Sequence, residues 1–170
     1  IIGSNSTNRI HGQGGNDTIT GGTGNDFLYG EAGRDIINGG DGVDSIYGGV
    51  GADVLNGGAG ADNFYVSGAD LRGDTIDGGA DSDDLYLTGN TVIYADTTLT
   101  SIERIVTGGN ILYVNTGVNF DFSAMTFSGA IDIRGVGGNE TITGGATNDY
   151  IYGGFGNDII NGGNGTNRLY

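Results

Sequence analysis

The sequence predicts an all-β fold, a parallel β-solenoid, on three observations. Glycine, aspartate and a large apolar residue return together in successive nonapeptides. The positions around each apolar residue alternate as a half-buried strand requires. Tyrosine returns at every second repeat, so a pair of nonapeptides sets the length of one coil.

Six nonapeptides begin at Gly12, Gly21, Gly30, Gly39, Gly48 and Gly57. Their sixth places hold Asp17, Asp26, Asp35, Asp44, Asp53 and Asp62, and their eighth places hold Ile19, Leu28, Ile37, Ile46, Leu55 and Phe64. A weaker copy starts at Gly3 with Asn8 in the aspartate slot. A second block, GVGGNETIT, GGATNDYIY, GGFGNDIIN and GGNGTNRLY, starts at Gly135. Place eight is the only consistently apolar one, so it faces a core while places seven and nine face out. A strand of about three residues cannot stand alone and must stack on copies of itself. The glycines suit tight turns with positive φ.

Place nine reads Thr20, Tyr29, Asn38, Tyr47, Asn56 and Tyr65, then Thr143, Tyr152, Asn161 and Tyr170. One coil is therefore two nonapeptides with strands on opposite sides. Tyr29, Tyr47 and Tyr65 form a ladder on one sheet, and Asn38 and Asn56 form one on the other. The same register aligns Asp26, Asp44 and Asp62 along one edge and Asp17, Asp35 and Asp53 along the other. At a strand spacing of about 4.8 Å these carboxylates repel unless something neutralises them. The turns offer carboxylate and carbonyl oxygens with no nitrogen or sulfur, a set that suits calcium better than magnesium.

GGTGNDFLY, GGDGVDSIY and GGAGADNFY resemble the RTX (repeats-in-toxin) nonapeptide GGxGxDxUx, where U is large and apolar. The resemblance covers 3–65 and 135–170 well and 69–87 loosely. It implies a right-handed parallel β-roll with several calcium ions between successive turns, held by motif carboxylates and turn carbonyls. It also implies bacterial type I secretion and folding in external calcium, hence a secreted or cell-surface location. The expected metal ligands are Asp17, Asp26, Asp35, Asp44, Asp53, Asp62, Asp74, Asp77, Asp83, Glu140, Asp149 and Asp158. Asn8 and Asn167 are neutral, Glu140 is longer, and Asp81 and Thr147 replace the second-turn glycine, so calcium sites there are expected to be weaker or absent. Asp74, Asp77, Asp81, Asp83 and Asp84 crowd together as an additional candidate site or an irregular acidic turn.

Residues 88–134 lose the aspartate rhythm but keep strand-like patterning. Val92, Ile102, Ile105, Leu112, Val114, Phe120, Phe122, Ile131 and Ile133 are expected to continue the core without metal, in wider coils. Glu103 and Arg104 are expected to pair on the surface, and His11 to be an ordinary surface residue. The expected organisation is a calcium-binding block at 1–65, an irregular acidic repeat at 66–87, a metal-free solenoid bridge at 88–134 and a second block at 135–170. Residues 12–47 and 135–170 agree at 22 of 36 places, at an offset of 123. With no capping unit in view, the chain reads as a piece of a longer repetitive protein, or as one that stacks end to end.

Composition narrows the functions. A net charge of -15 with only six basic residues disfavours nucleic acid and anionic lipid as partners. No apolar run reaches membrane-spanning length. There is no cysteine for disulfides or thiolate sites. Neither HExxH nor GxSxG occurs, and Asp121 with Asp132 is a poor substitute for a catalytic carboxylate pair. The leading expectation is a non-catalytic, calcium-dependent structural module of an adhesin, surface-layer protein or exoenzyme tail. The alternative is a calcium-stabilised ligand-binding face on the Tyr29, Tyr47 and Tyr65 ladder. Its ligand would be a polysaccharide, or less readily ice, because places three and five are irregular.

Overall fold

The computed structural model describes residues 1–68 and 71–170; Ala69 and Asp70 of the irregular acidic repeat lie outside the described residues. Among these residues the regular elements are all strands and their ladders are all parallel. They wind as a solenoid of about nine coils. The first roll comprises β1 (Arg9–His11), β2 (Thr18–Thr23), β3 (Phe27–Ala32), β4 (Ile36–Asp41), β5 (Ser45–Val50), β6 (Val54–Ala59) and β7 (Asn63–Val66). Wider coils follow: β8 (Thr75–Ala80), β9 (Asp84–Leu87), β10 (Thr91–Ile93), β11 (Thr98–Thr100), β12 (Arg104–Val106), β13 (Ile111–Val114), β14 (Asn119–Asp121), β15 (Thr126–Phe127) and β16 (Asp132–Gly135). The second roll adds β17 (Thr141–Thr143), β18 (Tyr150–Tyr152), β19 (Ile159–Asn161) and β20 (Arg168–Leu169).

The strands of β2–β6 are six residues long rather than three. The ladder continues through the residues that open the next nonapeptide, so Gly22 lies beside Gly40 and Thr23 beside Asp41. In the second roll β17, β18 and β19 have the expected three residues.

Register in the first roll is the coil of two nonapeptides: Ile19 on Ile37 on Leu55, and Leu28 on Ile46. Place eight is buried at 0–1% exposure from Ile19 to Phe64, while Ile36 and Val54, at place seven, stand 51% and 44% exposed. The place-nine ladder runs His11, Tyr29, Tyr47, Tyr65 and Tyr86, with neighbouring ring centroids 4.5–4.9 Å apart and planes within 19°. His11 is an exposed surface residue, as expected, and its ring also stacks at the head of the ladder. Its Nδ1 also lies 2.7 Å from Glu31 Oε1. On the opposite sheet Thr20, Asn38, Asn56, Asp77 and Thr100 align.

The coil then widens. Val54 pairs with Thr75, and Thr75 with Thr98, each a longer step along the chain than Ile36 to Val54. A third face appears, β10-β13-β16, which runs on into β18 and β20. The face β1-β3-β5-β7-β9-β12-β15 ends at β15. The face β2-β4-β6-β8-β11 also stops, and β14-β17-β19 begins across a cleft lined by Tyr94, Leu99, Val118 and Phe120. The second roll therefore uses a different pair of faces from the first. By β16–β18 the coil is again two nonapeptides long, from Asp132 to Tyr150.

Two expectations for this segment change. Val92 is half-buried, and its neighbours Thr91 and Ile93 point inward at 0% and 1% exposure. The alternation of NTVIYA is out of phase with the expected core because Thr91 Oγ1 turns back to the Gly89 carbonyl at 2.9 Å and needs no water. Phe120 is only partly buried, against the core edge. The other expected core residues, Ile102, Ile105, Leu112, Val114, Phe122, Ile131 and Ile133, are buried.

The adjacent pair Ile36 and Ile37 tests the inward phase. Ile37→Ala is expected to cost about 2–5 kcal/mol in denaturant unfolding with calcium present. Ile36→Ala is expected to stay within about 0.5 kcal/mol of the parent. Equal costs would contradict the register.

Candidate metal centre

Each turn is shaped by its first, second and fourth places. In Gly21–Asp26 the backbone is left-handed at Gly22 (φ 120°) and Gly24 (φ 113°), which L side chains adopt rarely. Gly21 has a different reason to be glycine. A Cβ there would collide with Asp26 Oδ2 and with the Gly39 carbonyl of the next coil. Those two oxygens occupy the space a side chain would fill.

The carboxylates stand in two files. In one, the backbone N–H groups of Asn8, Asp26, Asp44, Asp62 and Asp83 donate to the next coil's side chain, Asp26, Asp44, Asp62, Asp83 and Glu103 respectively, at 2.6–2.9 Å. In the other, Asp17, Asp35 and Asp53 donate to Asp35, Asp53 and Asp74, each at 2.8 Å. Each accepting aspartate uses its Oδ1. The second oxygen is buried without a hydrogen-bond partner in Asp17, Asp26, Asp35, Asp44, Asp62 and Asp83, and likewise Oε2 of Glu140. Burying an ionised oxygen without a donor is costly.

The electrostatics agree. Burial, assisted by the neighbouring carboxylates, pushes the Asp44 carboxyl from 3.8 to about 6 and that of Asp62 from 3.8 to about 7. Asp83 is pushed up for the same reason, opposed by its bond from Asp62 N–H. Among the described residues no three acidic or histidine side chains converge on one point. Each turn brings one carboxylate, and its remaining donors are main-chain carbonyls. An all-oxygen set with one orphaned carboxylate oxygen per turn fits a hard cation such as calcium.

Asp74 and Asp83, expected within one acidic cluster, separate instead into the two files, one in each. Asp77 does not; it sits on the outer face of its sheet beside Asn56. Asp84 is buried beneath Arg104, whose Nε lies 2.8 Å from its Oδ1. The expected Glu103–Arg104 pair is therefore not formed, because Arg104 turns to Asp84 and Glu103 turns to Asp83 N–H. Glu103 is the residue that sequence reading missed. It keeps the acid–any–apolar spacing of the motif, Glu103 to Ile105, after the glycines have gone. The asparagines at place five were missed too: Asn16 and Asn25 accept from Arg34 and Val43 N–H on the next coil at 2.9 and 3.0 Å. In the second roll Asp158 accepts from Glu140 N–H at 3.0 Å. Asp149 is satisfied differently, by the Thr147 hydroxyl at 2.8 Å and Gly145 N–H at 3.2 Å.

The raised carboxyls fix a pH dependence. A native-state pKa above the unfolded value means the metal-free fold holds more protons than the unfolded chain. For Asp44 and Asp62 this applies between 3.8 and about 7, so stability falls as pH rises through that window. In buffer stripped of divalent ions, thermal melts followed by circular dichroism should give a higher Tm at pH 4.5 than at pH 7.5. The reverse order would contradict this account of the files.

Comparison with individual curated proteins gives no match. The family model for the RTX calcium-binding nonapeptide repeat matches residues 2–37, 29–64 and 134–169. These segments are the two rolls and leave out most of the wide coils between them. They cover more than half of the chain, and the turns within them have the oxygen donors that a calcium-binding repeat needs. The chain belongs to the RTX calcium-binding nonapeptide repeat family.

Proposed function

We propose that this calcium-binding structural module folds on extracellular calcium as part of a secreted bacterial protein, with Asp17, Asp26, Asp35, Asp44, Asp53, Asp62, Asp74, Asp83, Glu140 and Asp158 as its metal-facing carboxylates. The observation that carries this reading is the row of buried aspartate oxygens that no protein donor reaches. Calcium, when bound, supplies the positive charge and the six to eight oxygen contacts that this donor set matches. The aspartates use one oxygen to fix the neighbouring coil and present the other to the gap between coils. The glycines admit that oxygen by having no side chain. Binding then adds its free energy directly to that of folding. Residues 1–65 and 135–170 carry the dependence, and 88–134 bridges them on an apolar core.

Secretion and a place at the cell surface rest on the usual context of RTX proteins. An adhesin or surface-layer parent accords best with the internal duplication at an offset of 123. The second reading, a sugar-binding Tyr ladder, is favoured only by the exposure of that face. Its rings stack on one another 4.5–4.9 Å apart, so their faces are already covered and mostly edges remain for a ligand. That arrangement supports a structural ladder.

Removing calcium with EGTA at neutral pH should lower the melting temperature and weaken the β signal in circular dichroism, and added calcium should restore both. A melting temperature unchanged by EGTA would overturn the reading. Asp44→Ala is expected to lower calcium affinity at least tenfold, because its carboxylate serves the coils on both sides. Asp84→Ala removes only the Arg104 partner and is expected to leave the number of bound ions unchanged, measured by isothermal titration calorimetry. Equal losses of calcium binding in both variants would contradict the assignment.

A further inference from the structure

The two asparagines that stand where the motif has aspartate are built into their turns in an informative way. Asn167 Oδ1 accepts from Asp149 N–H at 2.8 Å, the role that Oδ1 plays in the aspartate files. Its Nδ2 then lies where the aspartates have Oδ2. A Cβ on Gly162 would meet Asn167 Nδ2 at 2.7 Å, just as one on Gly153 would meet Asp158 Oδ2 at 2.7 Å. From that position Nδ2 donates to the carbonyls of Gly162 at 2.7 Å and Asn164 at 3.1 Å. Asn8 does the same in its own turn. Its Nδ2 donates to the carbonyls of Ser6 and Ser4 and to Asp26 Oδ1 at 2.9 Å.

The comparison reveals what surrounds the orphaned oxygen elsewhere. The turn carbonyls converge on the end of the place-six side chain. With asparagine there, an NH2 group meets them and every oxygen has a proton to accept. With aspartate there, the oxygens face one another and a positive charge is required. We propose that Asn8 and Asn167 are resident replacements for the metal ion, so that their turns close by neutral hydrogen bonds and bind no calcium. The proposal rests on the calcium reading of the aspartate turns. The turn of Asp149 reaches the same end by another route, with the Thr147 hydroxyl and Gly145 N–H supplying the protons. The module thus mixes turns closed by metal with turns closed by protein donors, and at Asn8 and Asn167 a single atom at place six makes the difference.

The exchange should work in both directions, in the full-length chain. Asn167→Asp is expected to add one bound calcium ion, counted by equilibrium dialysis. It should also remove, in EGTA, the hydrogen-exchange protection of the Thr166 and Arg168 amides. These bond to Asn148 Oδ1 and the Asp149 carbonyl. The parent chain should keep that protection in EGTA. Asp44→Asn is expected to lose at least one ion yet melt higher than the parent in EGTA, whereas Asp44→Ala should lose the ion without that gain. An unchanged ion count in Asn167→Asp, or an Asp44→Asn chain no more stable than Asp44→Ala in EGTA, overturns the proposal while leaving calcium binding by the parent intact. A parent chain that binds no calcium at all overturns the underlying reading instead.

Discussion

A buried carboxylate oxygen with no proton to accept, repeated from coil to coil through the first roll and met again at Glu140, is the constraint around which the rolls are built. The parallel ladder sets the coils about 4.8 Å apart, and one oxygen of each aspartate holds that spacing by accepting the N–H of the coil before. The same geometry strands the other oxygen in the gap. The glycines follow from it. Place one must lack a side chain to leave room for the stranded oxygen, and places two and four must turn left-handed to bring carbonyls round it. The acidity of the chain follows as well, since the files contribute much of its net charge of -15.

The rolls were legible in the sequence because each constraint falls on a fixed place. Asp26, Asp44 and Asp62 share a file, Tyr29, Tyr47 and Tyr65 share a ladder, and Ile19, Ile37 and Leu55 share a column, all from one period. Less legible was what stands beside the motif. The opening residues of the next nonapeptide keep pairing and lengthen the strands of β2–β6, which composition disguised because glycine is a poor strand former. Glu103 was hidden because its glycines are gone and its step from Asp83 is longer than the step between file aspartates in the first roll. Arg104 was paired with the wrong acid because sequence adjacency is a weaker guide than register: in β12 it lies directly beside Asp84 of β9.

The middle segment was legible as strands but not as a shape. The nonapeptide period supplies two strands per coil, and its loss leaves no rule for a third. The third face arises because the coils lengthen without acquiring glycine turns at motif spacing. Val92 then misled because the outward face of β10 is itself apolar, and the buried neighbour is a threonine that satisfies its own hydroxyl.

On the proposed calcium reading, coil width and metal binding are two answers to one shortage. The narrow coil from Ile19 to Ile36 buries only the side chains of Ile19 and Leu28 in the core. So little apolar surface cannot offset the ordering of the whole coil, and the turns must contribute binding energy of their own. The wide coil that contains β11, β12 and β13 buries Ile102, Ile105, Leu112, Val114 and Val118. The next adds Phe122, Met125, Phe127, Ile131 and Ile133. Around that larger interior the glycine–aspartate rhythm disappears. It returns at Asp149 and Asp158, where the coil narrows again to a pair of nonapeptides and the core thins to Ile142 and Ile151. The alternation of acidic and apolar segments is therefore a physical trade. On the proposed calcium reading, a wide coil is held from within by packing, and a narrow one from its edges by bound charge or by the donors that replace it.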